Sequence, residues 1–377
     1  MRSDNFFRNR RDFLRASAVT LAAGALPAFP ASLFASNKYS ATSAAANPSK
    51  PQRIILDTDP GVDDAIAFFL ALRSPELRVE AVTPVSGNVP LSLTLPNALR
   101  LLEIAGRADI PVAAGAATPL VRRLVTAKYA HGNNGLGGVD FPEPKTKPVA
   151  ETATELICRI VRANPGEITI VAIGPLTNVA TVLKSDSTIA PLIKSIVIMG
   201  GSLSGGNVTP AAEFNLYVDP EAARIVFDAG IPLTMVGLDV TRKVVIHDEQ
   251  VRTLEATQNP VSQAAGKILR ANFNRLSKTG GASGFAMHDP LTVAHLIDPA
   301  IVTLKDYFVE VETSGEITAG ETVGYTRGPI RRSPPLETGL PAPDSPEIDF
   351  KPNAKVAVDV DPDKFFRLLL ARLTSAA

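Results

Sequence analysis

A chain of 377 residues, 45% of them hydrophobic, can form one large α/β domain or two ordinary ones with a sizeable buried core. Lys+Arg and Asp+Glu number 38 each, so the formal net charge is zero. That balance excludes the broad basic field that holds nucleic acid or anionic lipid, and any negative ligand would need a local site.

The first element is a separate unit. Residues 8–11 make a basic start, Arg10-Arg11-Asp12-Phe13-Leu14-Arg15 follows, and 16–28 is mostly apolar, a pattern that resembles a twin-arginine export signal over residues 1–35. The apolar run is about half of the ~20 residues that cross a bilayer, which argues against a stable membrane span and for export to the periplasm or beyond. Residues 36–51 read as a Ser/Ala/Asn-rich linker, and the folded domain is expected over 52–377. The lone Cys158 excludes an intrachain disulfide and, lying in a helical pattern, reads as core.

Strand-like apolar runs follow at 53–56, 79–85, 167–173, 195–199 and 232–238, separated by helical patterns at 64–72, 91–105, 152–163, 176–183 and 220–229. This alternation predicts an α/β fold, an open, mostly parallel sheet with helices on both faces. Beyond residue 301, strand-like 302–311 and 321–326 lead into a Pro-rich stretch, 329–352, expected as a surface excursion or lid margin. A run at 355–360 and an amphipathic helix at 361–373 close the chain. Polar residues fall just after the first strands: Asp57 and Asp59, Gly87-Asn88, Gly174, and Gly200-Gly201. Ligands of open α/β sheets bind at the carboxyl ends of strands, so one site built from distant segments is expected there.

The densest of these segments is Ile54-Ile55-Leu56-Asp57-Thr58-Asp59-Pro60-Gly61-Val62-Asp63-Asp64-Ala65, which puts four carboxylates within eight residues. They span a strand end, a Pro-Gly turn and a helix start, and such crowding repels itself unless positive charge is present. A helix N-terminus could hold Asp63 and Asp64 as caps, yet leaves Asp57 and Asp59 unexplained. A hard divalent cation such as Ca²⁺, which takes six to eight oxygen ligands in irregular geometry, accounts for all of them. Zinc would prefer clustered His and Cys, and the spacing is not that of an EF-hand loop.

The run Asp57-Thr58-Asp59-Pro60-Gly61-Val62-Asp63-Asp64-Ala65 resembles the signature of the inosine-uridine type nucleoside hydrolases. Further matches follow in order: Gly87-Asn88, Gly174-Pro175-Leu176-Thr177-Asn178, Gly206-Asn207-Val208-Thr209-Pro210-Ala211-Ala212-Glu213-Phe214-Asn215 with Asp219-Pro220-Glu221-Ala222-Ala223, and His288-Asp289-Pro290. The resemblance covers residues 54–299 and implies the Rossmann-like fold of that family. It also implies a Ca²⁺ cofactor, a small-molecule ribonucleoside as substrate, and a homodimer or homotetramer. The reaction implied is hydrolysis of the N-glycosidic bond to free base and ribose by a metal-activated water. Carried onto these residues, the resemblance makes Asp59, Asp64, Asp289 and the carbonyl of Ile173 calcium ligands. Asp59 would also take a proton from the attacking water, and Asp57 would support the metal site. Asp63, Asn88, Asn207, Glu213, Asn215 and Asp289 would meet the ribose, with Met199 beside it. His288 would be the general acid for the departing base, since imidazole can donate near neutral pH. His131, in Tyr129-Ala130-His131-Gly132, would line the base pocket, whereas His247 and His295 have no such context and read as structural.

The chain has no Trp, so indole stacking cannot recognise the base, which favours inosine-uridine or pyrimidine preference. Phe214, Tyr129, Phe285 and Tyr325 are the candidate aromatic contacts. After Gly320 the sequence departs from the family pattern, which leaves substrate preference open. Two competing functions are weaker. Asp57-Thr58-Asp59 superficially resembles the nucleophile motif of haloacid dehalogenase-like phosphatases, but Gly61 stands where that motif expects Thr or Val. An exported nucleoside-binding receptor or sensor without turnover would keep the same ligands, and release of free ribose separates it from an enzyme.

Overall fold

The computed structural model describes residues 50–278, 284–326 and 351–375. The expected export signal, nearly all of the linker and nearly all of the Pro-rich stretch lie outside the described residues.

Strand β1 (Gln52–Thr58) shows how the sequence builds the molecule. Its side chains alternate between faces, so Ile54 and Leu56 enter one core while Ile55 enters the other. A strand buried on both faces is read as a continuous apolar run, and here that run ends at the first aspartate. The strands that follow are β2 (Leu77–Pro84), β3 (Ile168–Ala172), β4 (Ser195–Met199), β5 (Leu233–Val236), β6 (Val245–His247), β7 (Gly284–Ala286), β8 (Val302–Val311), β9 (Thr322–Tyr325) and β10 (Ala354–Val360). Eight of them form one sheet in the order β2-β1-β3-β4-β5-β10-β8-β9, and β6 pairs with β7 in a separate antiparallel ribbon.

From β2 to β10 the pairs in this order are parallel, and only the β10–β8 and β8–β9 pairs are antiparallel. The expected mostly parallel α/β architecture is therefore present, with helices on both faces. Helix Val62–Leu72 packs on one face with Leu91–Ile104, Pro260–Ser277, His288–Ile297 and Pro362–Thr374. Ala153–Ala163, Thr177–Ser185 and Pro220–Phe227 cover the other. Among the described residues no helix is long and apolar enough to cross a membrane.

Two stretches depart from the sequence expectation. The run at 232–238 is cut to Leu233–Val236 because Gly237 lies against the backbone of Gly201, where a Cβ would come 2.7 Å from its carbonyl oxygen, and Leu238–Thr241 then forms a helical turn. The other is 248–277, where helices Asp248–Ala256 and Pro260–Ser277 were not anticipated: both are low in overall hydrophobicity, and the buried face of the second includes small and polar residues such as Ser262, Gly266 and Asn272. The second starts by ordinary capping: Asn259 Oδ1 accepts the Ser262 N–H at 2.8 Å and Pro260 occupies the first turn.

Because β1 to β4 run parallel, their carboxyl ends share one edge of the sheet. Asp57 pairs across to Thr83 on β2 and Ala172 on β3, so the aspartate segment leaves the sheet between the loops that carry Gly87-Asn88 and Gly174.

Candidate active site

The aspartates sit where β1 gives way to helix Val62–Leu72, and all four are buried. Asp64 Oδ2 accepts the Gly61 N–H at 2.9 Å, the capping contact foreseen for this helix start, and the Asn88 Nδ2 at 2.9 Å. Its Oδ1 accepts the Thr58 hydroxyl at 2.6 Å and the Asp59 N–H at 3.2 Å. Asp57 Oδ2 accepts from Thr83 Oγ1 at 2.6 Å and Asn178 Nδ2 at 2.8 Å. Asp59 Oδ2 accepts the Asn88 N–H at 2.7 Å.

Set against these bonds, Asp57 Oδ1, Asp59 Oδ1 and Asp63 Oδ1 are buried with no hydrogen-bond partner. Carboxylate oxygens of Asp63, Asp64 and Asp289 lie within 4.8 Å of one another. Burial raises Asp57 to about 7. Burial, reinforced by the charge of Asp64, raises Asp63 to about 8. Asp59 and Asp289 are pushed well above the usual carboxylate range, first by burial and then by neighbouring carboxylates, and burial also raises Asp64. Buried like charges with orphaned oxygens call for a cation, and an all-oxygen donor set suits a hard divalent one. The residues present therefore fit the metal that the sequence implies.

The cluster opens into a cleft, partly open to solvent, with a cavity volume of about 160 Å³. Asp63, Asn88, Ile173, Met199, Asn207, Glu213, Asn215 and Asp289 line it together with His131 and His288. Every site residue expected from the sequence except Asp57, Asp59 and Asp64 thus borders this one cavity, and Asp59 and Asp64 are tied to it through Asn88. The arrangement differs in detail from the expected roles. Asp63, expected on the sugar, joins the three-carboxylate cluster, whereas Asp59 does not. Asn88 braces the acids through its backbone N–H and through Nδ2, which also donates to the Asp59 carbonyl at 3.2 Å. Asn215 Nδ2 donates to the carbonyls of Ile173 and Met199, 3.1 Å each, and so ties the ends of β3 and β4 together.

Glu213 caps the short helix Phe214–Val218, accepting the N–H groups of Asn215 at 2.8 Å and Leu216 at 3.2 Å, and also that of Gly201 at 3.0 Å. Burial nevertheless raises it to about 7. His131 is buried with Nδ1 accepting the Val62 N–H at 3.1 Å, which leaves the ring proton on Nε2. Burial, with the neighbouring His288 and Arg275, lowers it to about 3. His288 Nδ1 meets Thr241 Oγ1 at 2.7 Å, and burial, with Arg242, lowers it to about 4. Both imidazoles rest neutral.

Of the candidate aromatics, Tyr129, Phe214 and Phe285 line the cleft, while Tyr325 does not and packs against Phe308, ring centroids 6.2 Å apart. His295 is buried in helix His288–Ile297 and His247 precedes helix Asp248–Ala256; neither lines the cleft. No local sequence pattern marks Thr83, Thr241 or Arg275, which touch Asp57, His288 and the Tyr129-Ala130 backbone from far away in the chain. Asn178 stood within a matched motif, but its bond to Asp57 was not foreseen.

Comparison with known proteins extends the likeness over nearly the whole described domain. The family model described as inosine-uridine preferring nucleoside hydrolase matches residues 54–367. A pyrimidine-specific ribonucleoside hydrolase, RihA, from Citrobacter koseri is 45% identical over 328 residues, 85% of this chain and 97% of that protein. The RihA of Salmonella typhimurium is 44% identical with the same coverage. Among solved structures, the plant nucleoside hydrolase PpNRh1 superposes with a TM-score of 0.77 at 36% identity, covering 86% of this chain and all of that one. A purine-preferring ribonucleoside hydrolase from Gardnerella vaginalis gives a TM-score of 0.74 at 31% identity, covering 85% and 98%.

Proposed function

The chain belongs to the inosine-uridine preferring nucleoside hydrolase family and hydrolyses the N-glycosidic bond of ribonucleosides; from that premise we propose that it works with calcium and an activated water, on pyrimidine nucleosides in preference to purines. The observation that supports the metal is the pair of orphaned, buried oxygens, Asp59 Oδ1 and Asp63 Oδ1, beside the Asp63-Asp64-Asp289 cluster. Asp59, Asp64, Asp289 and the Ile173 carbonyl would hold calcium, with Asp63 close enough to share it. When bound, the ion neutralises the acids and lowers the pKa of a water, though less than zinc does.

The chain's own residues supply the remaining chemistry. Asp59 Oδ1 accepts the proton of the attacking water as general base. Attack on the anomeric carbon from the face opposite the base inverts its configuration. Asn207, Glu213, Asn215 and Asp63 meet the ribose hydroxyls and favour the sugar as it becomes oxocarbenium-like. A 2'-deoxynucleoside leaves some of those buried groups unpaired and reacts poorly. His288, at the same cleft, faces the departing base as proton or hydrogen-bond donor.

Pyrimidine preference is supported by the RihA relatives, which are named pyrimidine-specific and share more identity with this chain than does the purine-preferring structure. The lack of Trp agrees. The deciding assay is ribose release from uridine, cytidine, inosine and adenosine, with calcium and after chelation. Faster release from the pyrimidines, lost on chelation and restored by calcium, is the expected result; release that ignores chelation removes the metal from the mechanism. Residues 1–35 would carry this activity out of the cytoplasm, and finding the uncleaved chain in the cytoplasmic fraction would dismiss that part.

A further inference from the structure

The base-side wall of the cleft is a turn that cannot hold itself. Lys128–His131 is a four-residue helix, far below the length at which helical hydrogen bonds sustain their own geometry. Backbone N–H groups of Gly132 and Gly137 take the Lys128 and His131 carbonyls, 2.9 Å each, and leave those of Tyr129 and Ala130 to a side chain. Arg275, in the last turn of helix Pro260–Ser277, reaches across to it from 145 residues further along the chain. Its Nη1 donates to the Tyr129 carbonyl at 2.6 Å, and its Nη2 donates to the Ala130 carbonyl and to the Oδ1 of buried Asn272, the latter at 2.6 Å. The loop after the turn rests on the same helix: a Cβ on Gly137 would stand 2.9 Å from the Ile268 carbonyl oxygen.

What the turn presents to the cleft is specific. Tyr129 is 64% exposed along the cleft wall. His131 is fixed from two sides, by the Val62 N–H on Nδ1 and by Phe285 edge-on at 6.1 Å between ring centroids. Tyr129 therefore follows the turn's backbone, which the two carbonyls that Arg275 grips hold against the helix, while His131 adds its own anchors at Val62 and Phe285. We infer that Arg275 is a positioning residue for base selection, setting the depth of the base-side wall through the Tyr129-Ala130-His131 backbone. Its own bonds go to carbonyls of that turn, and the turn meets the carboxylate cluster only through His131, whose Nδ1 stands 3.7 Å from Asp63 Oδ1 and is already held by the Val62 N–H. The inference rests on the cleft being the ribonucleoside site. One-ring and two-ring bases extend to different depths from the same sugar, so a displaced wall alters them unequally.

The test is steady-state kinetics of Arg275→Ala and Arg275→Lys on uridine and inosine, with calcium half-saturation and inhibition by free ribose measured on the same preparations. In the Ala variant kcat/KM for uridine should fall about ten- to hundredfold, the cost of displacing a contact by roughly 1 Å. The uridine-to-inosine ratio should shift by about fivefold or more, while ribose inhibition and calcium half-saturation stay within about twofold. Lysine should recover part of the loss, since one ammonium reaches a carbonyl but does not span two as a guanidinium does. Parallel losses on both nucleosides together with weaker ribose and calcium binding would mean that Arg275 merely holds the fold, and unchanged kinetics would mean that it holds nothing; either overturns the inference. If the Ala variant does not fold, Arg275→Lys and Arg275→Gln decide the same comparison. A wild-type enzyme that releases ribose from neither nucleoside brings down the proposed function and this inference with it. A wild type that turns over both, with variants that show no split, brings down the inference alone.

Discussion

Asp59 has one oxygen held by the Asn88 N–H and the other buried with no partner. Asp59→Asn keeps an oxygen for Asn88 but removes the basic carboxylate. Its kcat should fall about 100- to 10,000-fold, the usual worth of a general base, with the circular dichroism spectrum unchanged. A variant within a few-fold of wild type would move the base to another carboxylate, Asp63 first. His288 poses a different question, because its ring rests neutral with Nδ1 against Thr241. Purines and pyrimidines leave through different atoms, so His288→Ala should reduce kcat on inosine and on uridine unequally, and equal, negligible losses would end its role at the leaving group. These residues were legible because short motifs mark them. The four aspartates lie in one contiguous segment, where their mutual repulsion is itself a signal, and Asn88, Glu213, Asn215 and Asp289 stand in runs that resemble the family's. Thr83, Thr241 and Arg275 were not legible, because each acts through contacts made across the fold and no local spacing announces them.

The strand ends hold Asp59 by leaving it no room. A Cβ on Gly87 would stand 2.0 Å from Asp59 Oδ2 and 2.8 Å from Pro175 Cδ, and one on Gly174 would stand 2.6 Å from Asp59 Oδ1. Both glycines are needed for close approach, as neither is in the left-handed region. Gly174→Ala therefore pushes the carboxylate out of line and should cost about a hundredfold in kcat, with about 1–3 kcal/mol of stability lost to overpacking. Full activity together with a reduced melting temperature would show that the carboxylate can move aside at no catalytic cost. At this scale the parallel strands could be read from their apolar runs, and their carboxyl-end polar residues located the site before any contact was known. Helix Pro260–Ser277 was hidden by its composition. Gly266 lies within it because a Cβ there would come 2.9 Å from Glu255 Cγ in the preceding helix, so a residue that weakens the local helical pattern is kept for close packing.

For the whole molecule the buried acids set a pH dependence that a bound cation should reverse. Burial places Asp57 and Glu213 at about 7 and Asp63 at about 8 in the metal-free fold, all above their unfolded values. The folded chain then binds protons more tightly than the unfolded one, so this contribution is fully present below the ordinary carboxylate range and is lost as pH rises to about 8. Surface carboxylates held low by their partners, such as Asp109 beside Arg107 and Asp248 beside Arg270, work the other way and lose their contribution only as pH falls below the ordinary range. The chelated enzyme should accordingly melt at a higher temperature at mildly acidic pH than at pH 8. Calcium binds the deprotonated cluster, so its stabilisation should grow in the opposite direction, reaching about 2.7 kcal/mol at a hundredfold excess over Kd. At pH 8 that corresponds to a rise of roughly 4 °C for a domain of this size, measurable by thermal melts with and without the ion. Equal melting temperatures at pH 8 in calcium and in chelator would mean that the carboxylates balance their charge by protonation alone, and the orphaned oxygens of Asp59 and Asp63 would then have to be satisfied by water rather than by a cation.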